Sequence, residues 1–506
     1  MAQLFPDYDS FARGFDGGNN QIVYARLAAD LDTPVSLMLK LAAARPDSFM
    51  LESVTGGEVR GRFSVVGMKP DLIWQCHGTT SRINREARFD PDAFQDQDAA
   101  PLDALRALIA ESQIDLPDGL PPIAAGLFGY LGYDMIRLVE HLPNINPDVI
   151  GAPDATLLRP SVIAVLDGVK GEVTVVSPAF QKTGQTARAA YAQAAERVMD
   201  AVRDLERGVA SETRSLGDTD VALGPAVSNF TKDAYKDAIE KAKDYVRAGD
   251  IFQVVPSQRW THKFELPPFA LYRSLRRTNP SPFMFFFNFG GFQVIGASPE
   301  ILVRLREGEV TVRPIAGTRP RGATPAADDA YEADLLADPK EMAEHLMLLD
   351  LGRNDVGRVA KIGTVRPTEK FVIERYSHVM HIVSNVVGEI SDDHDALSAL
   401  LAGMPAGTVS GAPKVRAMEI IDELEPEKRG IYGGAVGYFS ADGDMDMCIA
   451  LRTAVLKDQN LYLQAGGGVV YDSDPEAEFQ ETVNKAKAIR AAAEDAGRFS
   501  GSSGNS

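Results

Sequence analysis

Two short acidic runs hold the residue types best suited to chemistry. In Asp338-Pro339-Lys340-Glu341-Met342-Ala343-Glu344-His345, the side chains of Glu341, Glu344 and His345 stand at i, i+3 and i+4 and share one face of a helix. In Asp474-Pro475-Glu476-Ala477-Glu478-Phe479-Gln480-Glu481, Glu478 and Glu481 repeat that spacing, and Lys485 follows one turn later on the same side. Both runs open Asp-Pro, a cap followed by a residue suited to the first turn. If the two faces converge, they present carboxylates to a hard cation such as Mg²⁺, which takes oxygen ligands from one or two carboxylates and from substrate. The plainer reading of each is a solvated helix, and Asp338-x-x-Glu341 also fits a capping box.

Further stretches add anion chemistry. Gly407-Thr408-Val409-Ser410-Gly411-Ala412-Pro413-Lys414 precedes a predicted helix. Its spacing fails the P-loop pattern, yet N–H groups and a hydroxyl at a helix start suit an anion; a tight entry turn is the alternative. Ala465-Gly466-Gly467-Gly468-Val469 follows a strand and lets the backbone approach a ligand, or forms a bulge. Arg452 stands in an otherwise apolar strand and needs a counter-charge, either a ligand carboxylate gripped by both forks or a protein acid.

The elements that must position these groups follow from length and pattern. A chain of 506 residues, 45% hydrophobic and 24% charged, buries a large core and reads as a soluble protein of more than one domain. The net charge of −19, with no basic stripe, argues against nucleic acid as a partner. Its two cysteines, Cys76 and Cys448, make neither a disulfide framework nor a zinc spacing, so cytoplasmic location is expected. No apolar run approaches the ~20 residues of a membrane span.

The pattern predicts an α+β fold, with large, mainly antiparallel sheets packed in a sandwich with flanking helices. Residues 183–207 and 231–248 read as helices, and the Gly-, Ser-, Thr- and Asp-rich stretch between them reads as a linker. The expected division is a 1–207 domain, a 208–228 linker, a 229–493 catalytic domain and a disordered tail, 494–506; residues 1 to 20 read as a loose arm. Strands are expected over 251–256, 283–289, 292–297, 309–314, 431–439, 445–455 and 461–470, and helices over 338–351, 413–425 and 475–493. In the first of these helices, Met342, Leu346 and Leu349 form the expected apolar stripe.

In chain order, Pro314-Ile315-Ala316-Gly317-Thr318-Arg319-Pro320-Arg321-Gly322, Lys340 to His345, Asp350-Leu351-Gly352-Arg353-Asn354-Asp355, Ser377-His378-Val379-Met380-His381 and Ala465 to Gly468 resemble the chorismate-utilising enzymes, and within them the large subunits of anthranilate synthase. The resemblance implies Mg²⁺ held by Glu344 and Glu481, with Glu478 beside them and Glu341 close by as the candidate general acid. It implies substrate contacts at Thr408, Tyr432, Arg452, Gly466, Gly467 and Gly468, with Lys485 adjacent. His381 matches the active-site histidine, His378 lies off that position, and Thr318 and Gln253 complete the catalytic set. Relatives that add water carry lysine where Gln253 stands, and relatives that make aminodeoxychorismate carry lysine where Ala316 stands; both positions point to anthranilate.

By the same resemblance, Glu52, Ser53, Pro282, Phe283 and Met284 belong to a regulatory tryptophan site, although many relatives carry Tyr where Phe283 stands. The expected activity converts chorismate and ammonia to anthranilate and pyruvate in tryptophan biosynthesis. The ammonia would come from a glutamine amidotransferase partner in a hetero-oligomer, and tryptophan would inhibit. The alternatives are an aminodeoxychorismate synthase and a catalytically silent amino-acid sensor; the retained acidic pairs oppose the second.

Overall fold

Alternation along the aromatic strand Phe283–Asn288 sets the architecture. Phe285 and Phe287 enter a central core with Phe49, Phe128 and Tyr130, while Met284 and Phe286 join the core on the opposite face. The same division runs through Ala155–Asp167, where Ile163 and Val165 face the central core and Val162, Ala164 and Leu166 face the other. Strands Gly126–Leu131, Ala435–Ser440 and Met445–Ile449 form the second wall, with Tyr130, Val436 and Cys448 turned inward and Leu131, Phe439 and Met447 turned outward. One outer face is covered by helices Pro34–Leu41, Ala187–Glu206, Pro268–Thr278 and Pro475–Asp495; the other is covered by Pro101–Glu111, Pro339–Gly357 and Ala396–Gly403. Each fully buried aromatic contributes about 1.5–3 kcal/mol.

This computed structural model describes residues 2–42, 45–53, 61–209, 223–376 and 379–500. Among them, 22 strands join in one hydrogen-bonded network, and a small sheet pairs Gln253–Val254 with Gly411–Ala412. The fold is the predicted α+β sandwich. The ladder crosses the expected division of the chain: Ser48–Glu52 pairs with Phe283–Asn288, and Gly126–Leu131 with Ala435–Ser440. Of the expected linker, residues 210–222 lie outside the described residues, and Val227–Ser228 already pairs with the strand Ser257–Lys263. No helix among the described residues is long and apolar enough to cross a membrane.

Several local expectations are corrected. The first residues are no loose arm: Asp7 caps a helix, Tyr8–Asp16, through Ser10 N at 2.8 Å, and Phe11 and Phe15 anchor it in the core. The last helix runs on to Asp495, which accepts from Ser274 Oγ at 2.9 Å, and Ala496 is fully buried; 501–506 of the expected tail lie outside the described residues. The expected strand 251–256 shrinks to Gln253–Val254. The expected strand 445–455 breaks at Arg452, whose φ of 48° is rare for a side-chain-bearing residue.

Candidate active site

Both acidic runs are helix starts, as their sequences require. Asp338 caps Pro339–Gly357 through Lys340 N at 3.0 Å, and Asp474 caps Pro475–Asp495 through Ala477 N at 2.8 Å. Their first turns come together beside the glycine turn. Gln253 Nε2 donates to Glu344 Oε1 at 3.2 Å, and Lys485 Nζ bridges Glu481 at 2.7 Å and Gly466 O at 3.0 Å. The turn packs closely on these side chains: a Cβ on Gly468 would lie 2.4 Å from Gln253 Nε2, and one on Gly467 3.2 Å from Glu478 Oε2, so a larger residue would displace both.

The electrostatics of this corner are unfavourable for the carboxylates alone. Burial raises the Glu344 pKa, and Glu341 and Glu481 raise it further against the Gln253 hydrogen bond. Burial also raises Glu478, with Glu481 adding to it against a Ser473 hydrogen bond. Glu478 Oε2 and Gln253 Oε1 are buried acceptors with no hydrogen-bond partner among the described residues. Oxygens of this kind, in carboxylates that repel one another, fit a hard divalent cation. The described residues nevertheless hold no group of three or more His, Cys, Asp or Glu drawn close enough to grip a metal ion. Glu341 is turned to Arg319 at 3.0 Å, Glu344 to Gln253 and Glu481 to Lys485.

A second group lies on the neighbouring strands. Thr318 stands opposite His381 in the ladder between Ile315–Pro320 and Val379–Glu389. His381 Nδ1 lies 2.9 Å from Gly317 O and 3.1 Å from Thr318 Oγ1. A carbonyl only accepts, so Nδ1 carries the hydrogen and Nε2 of the neutral ring is left basic. Burial first, and the Arg452 charge second, hold the His381 pKa below the usual range. The Arg452 guanidinium makes no salt bridge among the described residues, and none of their acids supplies its counter-charge. Tyr432 is buried, its hydroxyl bonded to the Gly466 backbone. His378 lies outside the described residues.

Thr408 marks a carboxyl that no spacing singled out. Its hydroxyl lies 3.3 and 3.2 Å from the two oxygens of Glu300, which is 6% exposed. Burial pushes Glu300 up to about 8, against hydrogen bonds from Thr408 and the Ile315 backbone. At neutral pH burial favours its protonated form. A lone acid following Ser298-Pro299 between apolar strands was the signal available in sequence. His345, by contrast, leaves the site: it is fully buried, Nε2 lies 2.7 Å from Ser384 Oγ, and burial lowers its pKa to about 4. Leu346, expected in the apolar stripe, is 55% exposed, and the buried stripe is His345, Leu348, Leu349, Gly352 and Val356.

The five residues expected around tryptophan all line one cavity of about 660 Å³. Glu52 stands opposite Met284 in the strand register, which brings the two separate motifs together. Tyr272 and Arg276 both donate to Glu52 Oε1. Arg313, Glu374 and Tyr376 form the wall toward His381, whose ring lies 5.5 Å from that of Tyr376.

An antiparallel sandwich whose acidic helix starts, glycine turn, histidine and arginine meet beside a second, apolar cavity defines a class, and sequence comparison agrees. Residues 52–491 match the family of chorismate binding enzymes, and the chain belongs to that family. It is 78% identical over 98% of its length, and 99% of the relative's, to the anthranilate synthase component 1 of Cereibacter sphaeroides. It is 48% identical to that of Pseudomonas aeruginosa, over 94% of this chain and 95% of the relative. Among solved structures, anthranilate synthase component I from Streptococcus pneumoniae superposes with a TM-score of 0.74 at 36% identity, covering 92% of this chain and 98% of that one. The menaquinone-specific isochorismate synthase of Escherichia coli shares the fold at 19% identity, with a TM-score of 0.68 over 96% of this chain and 100% of that one.

Proposed function

We propose that the chain is the large component of an anthranilate synthase, converting chorismate and ammonia to anthranilate, pyruvate and water. The observation that carries this reading is Arg452, without a salt bridge among the described residues, beside a His381 whose pKa is held down, in a chain so similar to relatives of that name. Arg452, Tyr432 and the Gly466–Gly468 turn take a substrate carboxylate, the guanidinium through both forks. Glu344 and Glu481, with Glu478, would hold Mg²⁺, which when bound supplies charge neutralisation at a substrate carboxylate.

The acid role moves from Glu341 to Glu300. Glu341, paired with Arg319, is an acceptor, whereas burial favours the protonated form of Glu300 at neutral pH. Glu300 gives that proton to the departing ring hydroxyl, which leaves as water while ammonia forms the carbon–nitrogen bond. His381 Nε2 then takes the ring proton and passes it to the enolpyruvyl side chain, which leaves as pyruvate as the ring becomes aromatic. The uncharged Gln253 holds Glu344 and offers no base to water, in keeping with ammonia as nucleophile.

The ammonia source is a glutamine amidotransferase partner, in keeping with the word component in the relatives' names. Tryptophan occupies the large cavity, its indole against Pro282, Phe283 and Met284 and its amino group near Glu52 and Ser53. The test is anthranilate fluorescence in purified protein given chorismate, a magnesium salt and an ammonium salt, with and without tryptophan. A signal that depends on all three additions and falls with tryptophan supports the reading; its absence removes it.

A further inference from the structure

Behind the site, a buried ion pair joins the backbone segments that carry the candidate substrate-binding groups. Arg429 and Glu425 are 2% and 4% exposed. Arg429 Nε donates to the Glu425 oxygens at 3.1 and 3.0 Å, Nη1 donates to Val409 O at 2.6 Å, and Nη2 donates to Val255 O at 2.6 Å. Val409 follows Thr408, and Val255 follows the short strand of Gln253. Glu425 Oε1 accepts from Ser257 N at 2.7 Å and Ser257 Oγ at 2.9 Å, and Ser257 stands opposite Gly466. The guanidinium lies 5.6 Å from the Tyr432 ring and 4.8 Å from the Tyr133 ring.

Backbone hydrogen bonds also join these segments: Val255 N donates to Ser410 O at 2.9 Å, Phe252 N to Ala412 O at 2.8 Å and Val469 N to Val254 O at 2.8 Å. The ladder between Gln253–Val254 and Gly411–Ala412 is only two residues a side, far short of a self-supporting sheet. A buried ion pair adds little net stability over a well-packed apolar replacement. What the guanidinium adds is direction: its planar fork holds two carbonyls and a carboxylate in one geometry, which an ammonium cannot reproduce.

We propose that Arg429, held by Glu425, is a positioning residue that sets the spacing of Thr408, Gln253, Tyr432 and the Gly466 turn, and so governs the grip on chorismate. The inference rests on the chorismate reading above. Arg429 touches no substrate atom; it acts through Val409, Val255 and Tyr432.

The test compares Arg429→Lys with Arg159→Lys in the full chain, using chorismate, magnesium and ammonium salts. Arg159 is 4% exposed, grips Asp71 at 2.9 and 2.9 Å, and has no site residue among its partners. Melting temperatures are measured first, and kinetics are read at a temperature where both variants are folded. Arg429→Lys is expected to raise KM for chorismate roughly tenfold with kcat within about twofold, while Arg159→Lys leaves KM unchanged. Equal KM values in the two variants overturn the proposal, as does a fall in kcat with KM unchanged. Should Arg429→Lys not fold, Ser257→Ala takes its place, with KM expected to rise about threefold and an unchanged KM overturning the proposal. A wild-type chain that leaves chorismate untouched defeats the reading beneath the proposal and is recognised before any variant is made.

Discussion

The large cavity and the acid-lined site share a wall, yet they treat charge differently. Around the cavity most charged groups are matched, although Asp446 Oδ1 is buried without a hydrogen-bond partner among the described residues: Arg306 meets Tyr438 and Asp444, Arg304 meets Asp446, Arg62 meets Asp167, and Glu52 meets Tyr272 and Arg276. In the acid-lined site, among the described residues, the Arg452 guanidinium has no salt bridge and two buried oxygens lack donors, and burial raises the carboxyls, with mutual repulsion adding at Glu344 and Glu478. A mostly matched, largely apolar cavity suits a held ligand. A site with unmet charge suits the substrate and cation proposed above, and shifted pKa values mark such sites.

Variants should therefore separate the two regions, and the largest effects belong to the acid-lined site. Glu300→Gln should lower kcat by roughly 10²–10⁴ with the fold intact by circular dichroism; near-normal turnover would return the acid role to another group. Glu344→Gln or Glu481→Gln should lower magnesium-dependent turnover by about 100-fold and weaken magnesium binding in calorimetry. Normal activity in both would remove the metal assignment. Arg452→Gln should raise KM for chorismate by roughly 10- to 100-fold through loss of the forked contact.

On the cavity side, Ser53→Phe should weaken tryptophan inhibition by about tenfold through lost space, with turnover in the absence of tryptophan within about twofold. Equal damage to both would mean that the two regions do not act separately. The smallest expected effect is on stability. Glu300 keeps its proton in the folded chain up to about pH 8, while an unfolded glutamic acid loses it near 4.5. The native state therefore binds the extra proton in this window, and stability falls as pH rises through it. Glu300→Gln should flatten that slope, seen as a melting temperature that declines less than the wild type's between these pH values.

Much of this was legible in the sequence, because it depends on local spacing. The acidic pairs fall on helix starts, the Ala465–Gly468 run meets a carboxylate and an amide, and alternation marks the sandwich strands. What spacing did not carry is tertiary. His345 looked like a site residue because a polar side chain at a core position reads as a surface one until its partner, Ser384, is known. Arg452 looked like a strand residue because its left-handed backbone is set by the strands on either side. Glu300 carried only a weak sequence signal, a lone acid between apolar strands, because its proton is kept by burial and not by any neighbour in sequence. The meeting of Glu52 with Met284 depends on strand register across the whole chain.

The central claim is tested most directly by identifying the products by mass spectrometry. Purified chain is incubated with chorismate, a magnesium salt and isotope-labelled ammonium. The account predicts anthranilate carrying the label, with pyruvate in equal amount, both suppressed by tryptophan. Labelled aminodeoxychorismate without pyruvate, or chorismate left unchanged while tryptophan still binds, would contradict it.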